Sequence, residues 1–293
     1  MEASQNEWLG GRQFDIDRNL HGATLEETVA PGVYGLVTGK RRDSNVYFVQ
    51  SGQAWVLVDT MWRGRAELIK SAAEVLFGVG TRPQAIVLTH VHPDHAGSAS
   101  ELAHMWDVTV YVHPDEVPLP PSGRIIGALA RVERRWMFPS GQDGLSPLDL
   151  NVGVPGLPDW QVISTPGHTP GHLALFREGD RTLISGDAVL TVNLNSLGDA
   201  LSLRHTLAGP PRFATWSWRA ASESVSEVAR LEPSVVVPGH GRPMAGPVLA
   251  PALRALDEQL NGPASIGSGA ASSAGHRLTE QVLNFFDYSR RAR

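Results

Sequence analysis

Apolar positions along the chain fall into two rhythms. Short runs bounded by Gly, Pro, Asp or Ser predict strands at Val33–Thr38, Asn45–Gln50, Ala54–Thr60, Val108–Val112, Trp160–Thr165, Leu173–Arg177, Arg181–Ser185 and Ser234–Val237. Residues 85–88, Ala-Ile-Val-Leu, hold no polar position, which is the pattern of a strand covered on both faces. Between these runs the spacing changes to that of helices. Leu68, Ala72, Val75 and Leu76 share one face over Arg63–Phe77, and similar spacing marks Ala220–Leu231 and Pro247–Leu260. Ser98-Ala99-Ser100-Glu101 has the form of a capping box and predicts a helix from Ser98 to Trp106. Strand and helix alternate, so the fold class is α/β, with the loops after the strands gathered along one edge.

Several stretches follow neither rhythm. Residues 1–30 read as an N-terminal arm, ahead of one catalytic domain over 31–260. Residues 114–150 are punctuated by Pro and Gly at both ends and enclose a helical pattern at Ile125–Phe138; they read as an inserted lid whose apolar face holds Trp136, Met137 and Phe138. Residues 191–218 form a long connection carrying Leu203, His205, Phe213, Trp216 and Trp218, and long loops in compact domains are often functional. Residues 261–293 are a small-residue linker and a helical tail, whose Val282, Phe285 and Phe286 offer a face to the body or to a second copy in a homodimer.

Composition narrows the function. With 42% hydrophobic and 19% charged residues, the chain of 293 can build a sizeable core. A formal net charge of −5 argues against a nucleic-acid partner, which calls for a basic footprint. No apolar run approaches the length of a membrane span. The polar N-terminus lacks the basic flank and apolar stretch of a secretory signal, so the expected location is cytoplasmic. There is no cysteine, so any metal must be held by His, Asp or Glu.

The donors are present, and they follow strands. Directly after the 85–88 run comes His90-Val91-His92-Pro93-Asp94-His95. His90 and His92, two residues apart on an extended backbone, point to one side. Asp94 and His95 are adjacent, so they diverge and can reach a second ion. Imidazole and carboxylate are donors that Zn²⁺ accepts, and imidazole also suits iron. Three more strand ends repeat the theme: His168 after Trp160–Thr165, Asp187 after Leu183-Ile184-Ser185-Gly186, and His240 after Val235–Gly239. Each alone is weak. Together they give seven donors from four strand ends, the number a two-metal site requires.

This order of HVHPDH, PGHTPGH, SGD and PGHG resembles the metallo-β-lactamase-fold hydrolases, in particular their glyoxalase II-like and lactonase-like branch, over roughly residues 33–245. The resemblance implies a four-layer αββα sandwich. It implies that His90, His92 and His168 bind one divalent ion, that Asp94, His95 and His240 bind a second, and that Asp187 bridges them. Zinc is the expected metal, with iron or manganese as alternatives. Asp59 matches a position that orients a ligand histidine, and His172 a supporting histidine rather than a ligand. Asp94 is the expected catalytic residue, and a hydroxide bridging the metals the expected nucleophile. The implied reaction is hydrolysis of an ester-like bond: a thioester, a lactone or a carboxylic ester. Asp187 favours this over β-lactam amide hydrolysis, because the similar β-lactamases generally lack the bridging carboxylate. A phosphodiesterase or nuclease, and an iron-dependent persulfide dioxygenase, share the scaffold and are the other readings. The lid aromatics Trp136, Met137 and Phe138, with Phe213 and Trp216, suggest a small-molecule substrate with an apolar part.

Overall fold

A computed structural model describes residues 13–14, 23–38, 44–117, 145–196 and 205–262. The first sheet contains, in spatial and chain order, β1 (Gln13–Phe14), β2 (Ala23–Ala30), β3 (Val33–Thr38), β4 (Val46–Ser51), β5 (Ala54–Val58), β6 (Ala85–Val87), β7 (Val110–Val112) and β8 (Leu145–Pro147). Pairing is antiparallel from β1 to β5 and parallel from β5 to β8. The parallel part needs crossovers. They are made by α1 (Ala66–Phe77) between β5 and β6, and by α2 (Pro93–Ala96) with α3 (Ala99–Trp106) between β6 and β7.

The second half builds another sheet. Its strands are β9 (Gln161–Ser164), β10 (Leu173–Arg177) and β11 (Thr182–Gly186), followed after a separate antiparallel pair, β12 (Leu190–Val192) and β13 (His205–Ala208), by β14 (Val235–Pro238) and β15 (Met244–Ala245). The spatial order is β15-β14-β11-β10-β9, with β11 and β14 parallel. Helices α4 (Trp218–Arg230) and α5 (Leu249–Asn261) accompany it.

Alternate residues of single strands enter different cores, which is why these strands carry few polar positions. Val56, Val58, Ala85 and Val87 pack with Leu173, Leu175, Ile184 and Val237 between the sheets. Their neighbours Trp55, Leu57 and Ile86 pack outward with Leu68, Ile69 and Leu102 of α1 and α3. On the far side Ala174, Phe176, Leu183 and Val236 meet Val225 and Val228 of α4 and Leu253 of α5. Three apolar layers separate four layers of structure, which is the αββα sandwich. Each is close-packed, so truncating a buried leucine such as Leu57 costs on the order of 2–5 kcal/mol.

The structure departs from the sequence reading at identifiable places. Ala23–Ala30, expected within the arm, is a strand of the first sheet, paired through Leu25 with Leu36. A register shift between Glu26 and Ala30 puts Leu25 in the outer core and Val29 in the inner one. Such a bulge breaks the alternation that marks a strand in sequence. Residues 145–147, expected at the end of the lid, are strand β8 at the edge of the parallel part. Part of the 191–218 connection is regular, because Leu190 and Val192 pair with Ala208 and His205. Ser98 stands at the N-cap of α3, but the capping box does not form. Its hydroxyl instead donates to the Trp62 carbonyl at 2.6 Å and accepts the Arg65 N–H at 3.0 Å, tying the α1 entry to α3. The lid positions Trp136, Met137 and Phe138 and the C-terminal tail lie outside the described residues.

Candidate metal centre

All the expected donors, and the supporting Asp59, stand on loops that leave carboxyl ends of strands. Asp59 follows β5, the His90–His95 segment follows β6, His168 follows β9, Asp187 follows β11 and His240 follows β14. Two sheets thus present one rim of loops. In the first loop Pro93 opens α2, where the missing N–H costs nothing. The turn returns the His95 N–H to the His92 carbonyl at 2.9 Å and thereby fixes Asp94 and His95 relative to His92.

The seven side chains converge. His92 Nδ1 lies 3.1 Å from His90 Nε2 and 2.9 Å from His168 Nε2. His240 Nε2 lies 3.2 Å from Asp94 Oδ2 and 3.4 Å from His95 Nε2. Asp187 stands between the two groups: its Oδ2 is 3.3 Å from His168 Nε2 and 3.5 Å from His240 Nε2, and its Oδ1 is 3.4 Å from His95 Nε2. Donor triads able to hold an ion are His90–His92–His168, His90–His95–Asp187 and Asp94–His95–His240.

The donors fit divalent metal. A single N–H or lone pair on His92 Nδ1 serves one neighbour well, whereas a cation at the common focus serves all three nitrogens. Nitrogens bound tetrahedrally at about 2.0–2.1 Å stand about 3.3 Å apart, close to the separations here. Asp187 Oδ1 is buried without a hydrogen-bond partner, an orphaned acceptor that a cation would satisfy. Gly239 is required beside it, since a Cβ there would meet Asp187 Oδ1 at 2.2 Å.

Electrostatics divides the cluster. Burial holds His90 and His168 well below the ordinary imidazole range and brings His92 down to about 4, so all three are neutral, lone-pair donors at pH 7. Burial alone would lower His95 as well, but Asp187, Asp59 and Asp94 outweigh it and raise it to about 10. His240 is likewise raised, against its burial, by Asp187 and Asp94. Burial pushes Asp187 up, whereas at Asp94 the opposing pull of His95 and His240 prevails and lowers it.

A ring of supporting groups fixes these side chains. Asp59 Oδ2 takes His95 Nδ1 at 2.8 Å. The same carboxylate accepts the Thr89 N–H at 2.8 Å and the Thr89 hydroxyl at 2.8 Å, and that hydroxyl lies 3.1 Å from His90 Nδ1. Asp59 itself has φ 62°, a left-handed conformation that aspartate tolerates better than most residues. His172 is not a donor to the cluster: Nδ1 pairs with the Thr165 hydroxyl at 2.7 Å and Nε2 accepts the Asp187 N–H at 2.9 Å. Asn45 donates to the carbonyls of Pro238 at 3.0 Å and Gly241 at 2.7 Å, clamping the His240 loop, and the Ser44 hydroxyl donates to the Asp94 carbonyl.

Thr89, Thr165, Thr215, Asn45 and Ser44 carry no motif that picks them out. Thr89 had one signal, as the polar residue directly between an apolar strand and the first donor. Thr215 lies 3.4 Å from His168 Nδ1, and the neighbouring Trp216 N–H donates to the His168 carbonyl at 3.1 Å. Trp216, 49% exposed, therefore borders this part of the rim, whereas Phe213 is 47% exposed with no contact among the described residues that ties it to the donors.

Set on this fold, the donor cluster defines a class of metalloprotein, and comparison with known proteins agrees. The description "Metallo-beta-lactamase superfamily" matches residues 39–240. The chain belongs to that superfamily and is a metal-dependent hydrolase of its fold. It is 38% identical over 233 residues to the Probable metallo-hydrolase YflN of Bacillus subtilis (strain 168), covering 74% of this chain and 86% of that one. It is 32% identical over 129 residues to a hydroxyacylglutathione hydrolase of Xanthomonas axonopodis pv. citri (strain 306), covering 44% of this chain and 40% of that one. A solved metallo beta lactamase from Erythrobacter litoralis shares the fold, with a TM-score of 0.55 at 20% identity, covering 81% of this chain and 97% of that one. Among the described residues no helix is long and apolar enough to cross a membrane.

Proposed function

We propose that this hydrolase uses two divalent ions, zinc first, to cleave an ester-like bond, a thioester, lactone or carboxylic ester, in a small molecule with an apolar part. The observation that carries the reading is the position of Asp187. One of its oxygens lies 3.3 Å from His168 Nε2 and 3.5 Å from His240 Nε2, so a single carboxylate can be shared by an ion at His90–His92–His168 and another at Asp94–His95–His240. When bound, such ions supply an activated water at neutral pH and polarise the substrate carbonyl.

The chain's own residues do the rest. Asp94 has the most exposed side chain of the three site carboxylates, 14% against 3% for Asp59 and Asp187. It orients the attacking water by accepting a hydrogen bond and carries the proton to the leaving oxygen or sulfur. Water adds to the carbonyl carbon, the carbon–heteroatom bond breaks, and a carboxylic acid and an alcohol or thiol leave. Asp59 and Thr89 hold His95 and His90 by their outward nitrogens, which would leave the inward ones free for the ions. Trp216, half exposed beside His168, supports an apolar group in the substrate, and the partial relative named hydroxyacylglutathione hydrolase supports a thioester within the class.

One preparation tests the reading. Bound metals are counted, and a thioester, a γ-lactone, an aryl ester, a β-lactam and a phosphodiester are assayed together, with oxygen uptake followed. Two ions per chain and preferred cleavage of an ester or thioester are expected, with kcat/KM rising along a series of longer acyl groups. Oxygen consumption with iron, preference for the phosphodiester, or a flat acyl series would each count against it.

A further inference from the structure

Glu116 is a fully buried carboxylate in the 3₁₀ turn Pro114–Glu116, and the chemistry above does not use it. Its two oxygens face two different loops. Oε1 accepts the Gly171 N–H at 2.9 Å and Oε2 accepts the Val91 N–H at 3.2 Å. Val91 lies between His90 and His92, and Gly171 lies between His168 and His172. One side chain therefore joins the loop from the first sheet that carries two imidazoles to the loop from the second sheet that carries the third. The contact is tight: a Cβ at Gly171 would come within 2.8 Å of Glu116 Cγ and of its backbone nitrogen, so only glycine lets the loop approach. Both oxygens receive donors, which is the role of an acceptor-only, ionised carboxylate.

The three-imidazole half of the centre needs such a group. Neutral histidines bring no charge, so an ion there keeps its full charge except for its share of Asp187. The other half has Asp94 in addition. We infer that Glu116 is a positioning residue for the three-histidine half: it fixes the spacing of His90 and His92 against His168, and it places one negative charge behind them. The inference rests on the two-ion reading above, and the test separates the two.

His240→Ala removes a donor from the other half, leaving one site to report. Zinc affinity is measured by competition with a chromophoric chelator in H240A and in H240A/E116Q, with circular dichroism as the check on folding. Glutamine keeps the size but offers one acceptor and no charge. A loss of about ten-fold or more in affinity is expected, the range for groups that support metal ligands. Affinities within two-fold of each other overturn the inference, whereas a wild-type chain that binds no zinc overturns the two-ion reading instead. If E116Q does not fold, amide hydrogen exchange in the chelator-stripped wild-type chain decides. Protected N–H groups at Val91 and Gly171 support the carboxylate bridge, and exchange as fast as in exposed loops overturns it.

Discussion

In the proposed mechanism Asp94 combines two duties that elsewhere in the cluster are divided among residues. It belongs to a donor triad with His95 and His240, and it reaches the solvent side where substrate must enter. On that proposal, replacing it with alanine removes a donor and the proton carrier together. Turnover in Asp94→Ala is expected to fall by at least about 10²–10⁴-fold, the span of general acid–base catalysis, with the far-ultraviolet circular dichroism unchanged. Full activity in the purified variant would defeat its assignment. At this scale the donors were legible because a strand signal ran straight into each one. Their supports were not, since Thr89, Thr165 and Asn45 act through hydrogen bonds to partners up to 196 positions away. No local pattern records such a pairing.

Elements were legible in proportion to how regular their burial is. Leu173–Arg177 has the bounds expected from its apolar run, because alternate side chains fill two cores without interruption. Ala23–Ala30 was missed because its bulge sends Leu25 and Val29, which regular alternation would put on one face, into different cores. Ser98 was misassigned in its bonding, since a tertiary acceptor at Trp62 outcompetes the local cap. The hairpin end between β10 and β11 shows an element held by a local ion pair. Arg177 grips Asp180 with two hydrogen bonds of 2.9 and 2.7 Å and lies over the Trp160 ring at 4.7 Å. Burial opposes ionisation of Asp180, but Arg177 and Thr182 prevail and lower its pKa. A depressed carboxylate contributes its stability above the unfolded value, about 3.9, and loses it as pH falls through the folded one. Asp180→Asn is therefore expected to cost about 0.5–1 kcal/mol at pH 7, as partly exposed pairs do, and nothing near pH 2. Urea melts at both pH values check the difference; an equal cost at both would point to packing instead.

The molecule as a whole is two sheets whose contacts are apolar over most of their area and polar at one rim. There, His90, His92, Asp94 and His95 come from the first sheet, and His168, Asp187 and His240 from the second. Ions held there bind the folded chain and not the unfolded one, so they add to stability by mass action. At a free metal concentration about 100 times the dissociation constant the gain is about 2.7 kcal/mol. Stripping the protein with a chelator is expected to lower Tm by about 5–10 °C, from about 2–4 °C per kcal/mol in a domain of this size, and re-adding zinc should restore it. An unchanged Tm in a protein shown to have lost its metal would mean that the rim is held by hydrogen bonds alone.

The order of the donors along the chain has a consequence for synthesis. Asp59 through His95 leave the ribosome first, while His168, Asp187 and finally His240 are still to be made, and Tyr47 and Asn45 wait for Pro238 to accept their hydrogen bonds. The rim therefore needs both halves of the chain: the donors of the first sheet are made before the partners from the second sheet that complete their triads. The triad Asp94–His95–His240 can be complete only once residue 240 has been made, however early its other two members emerge.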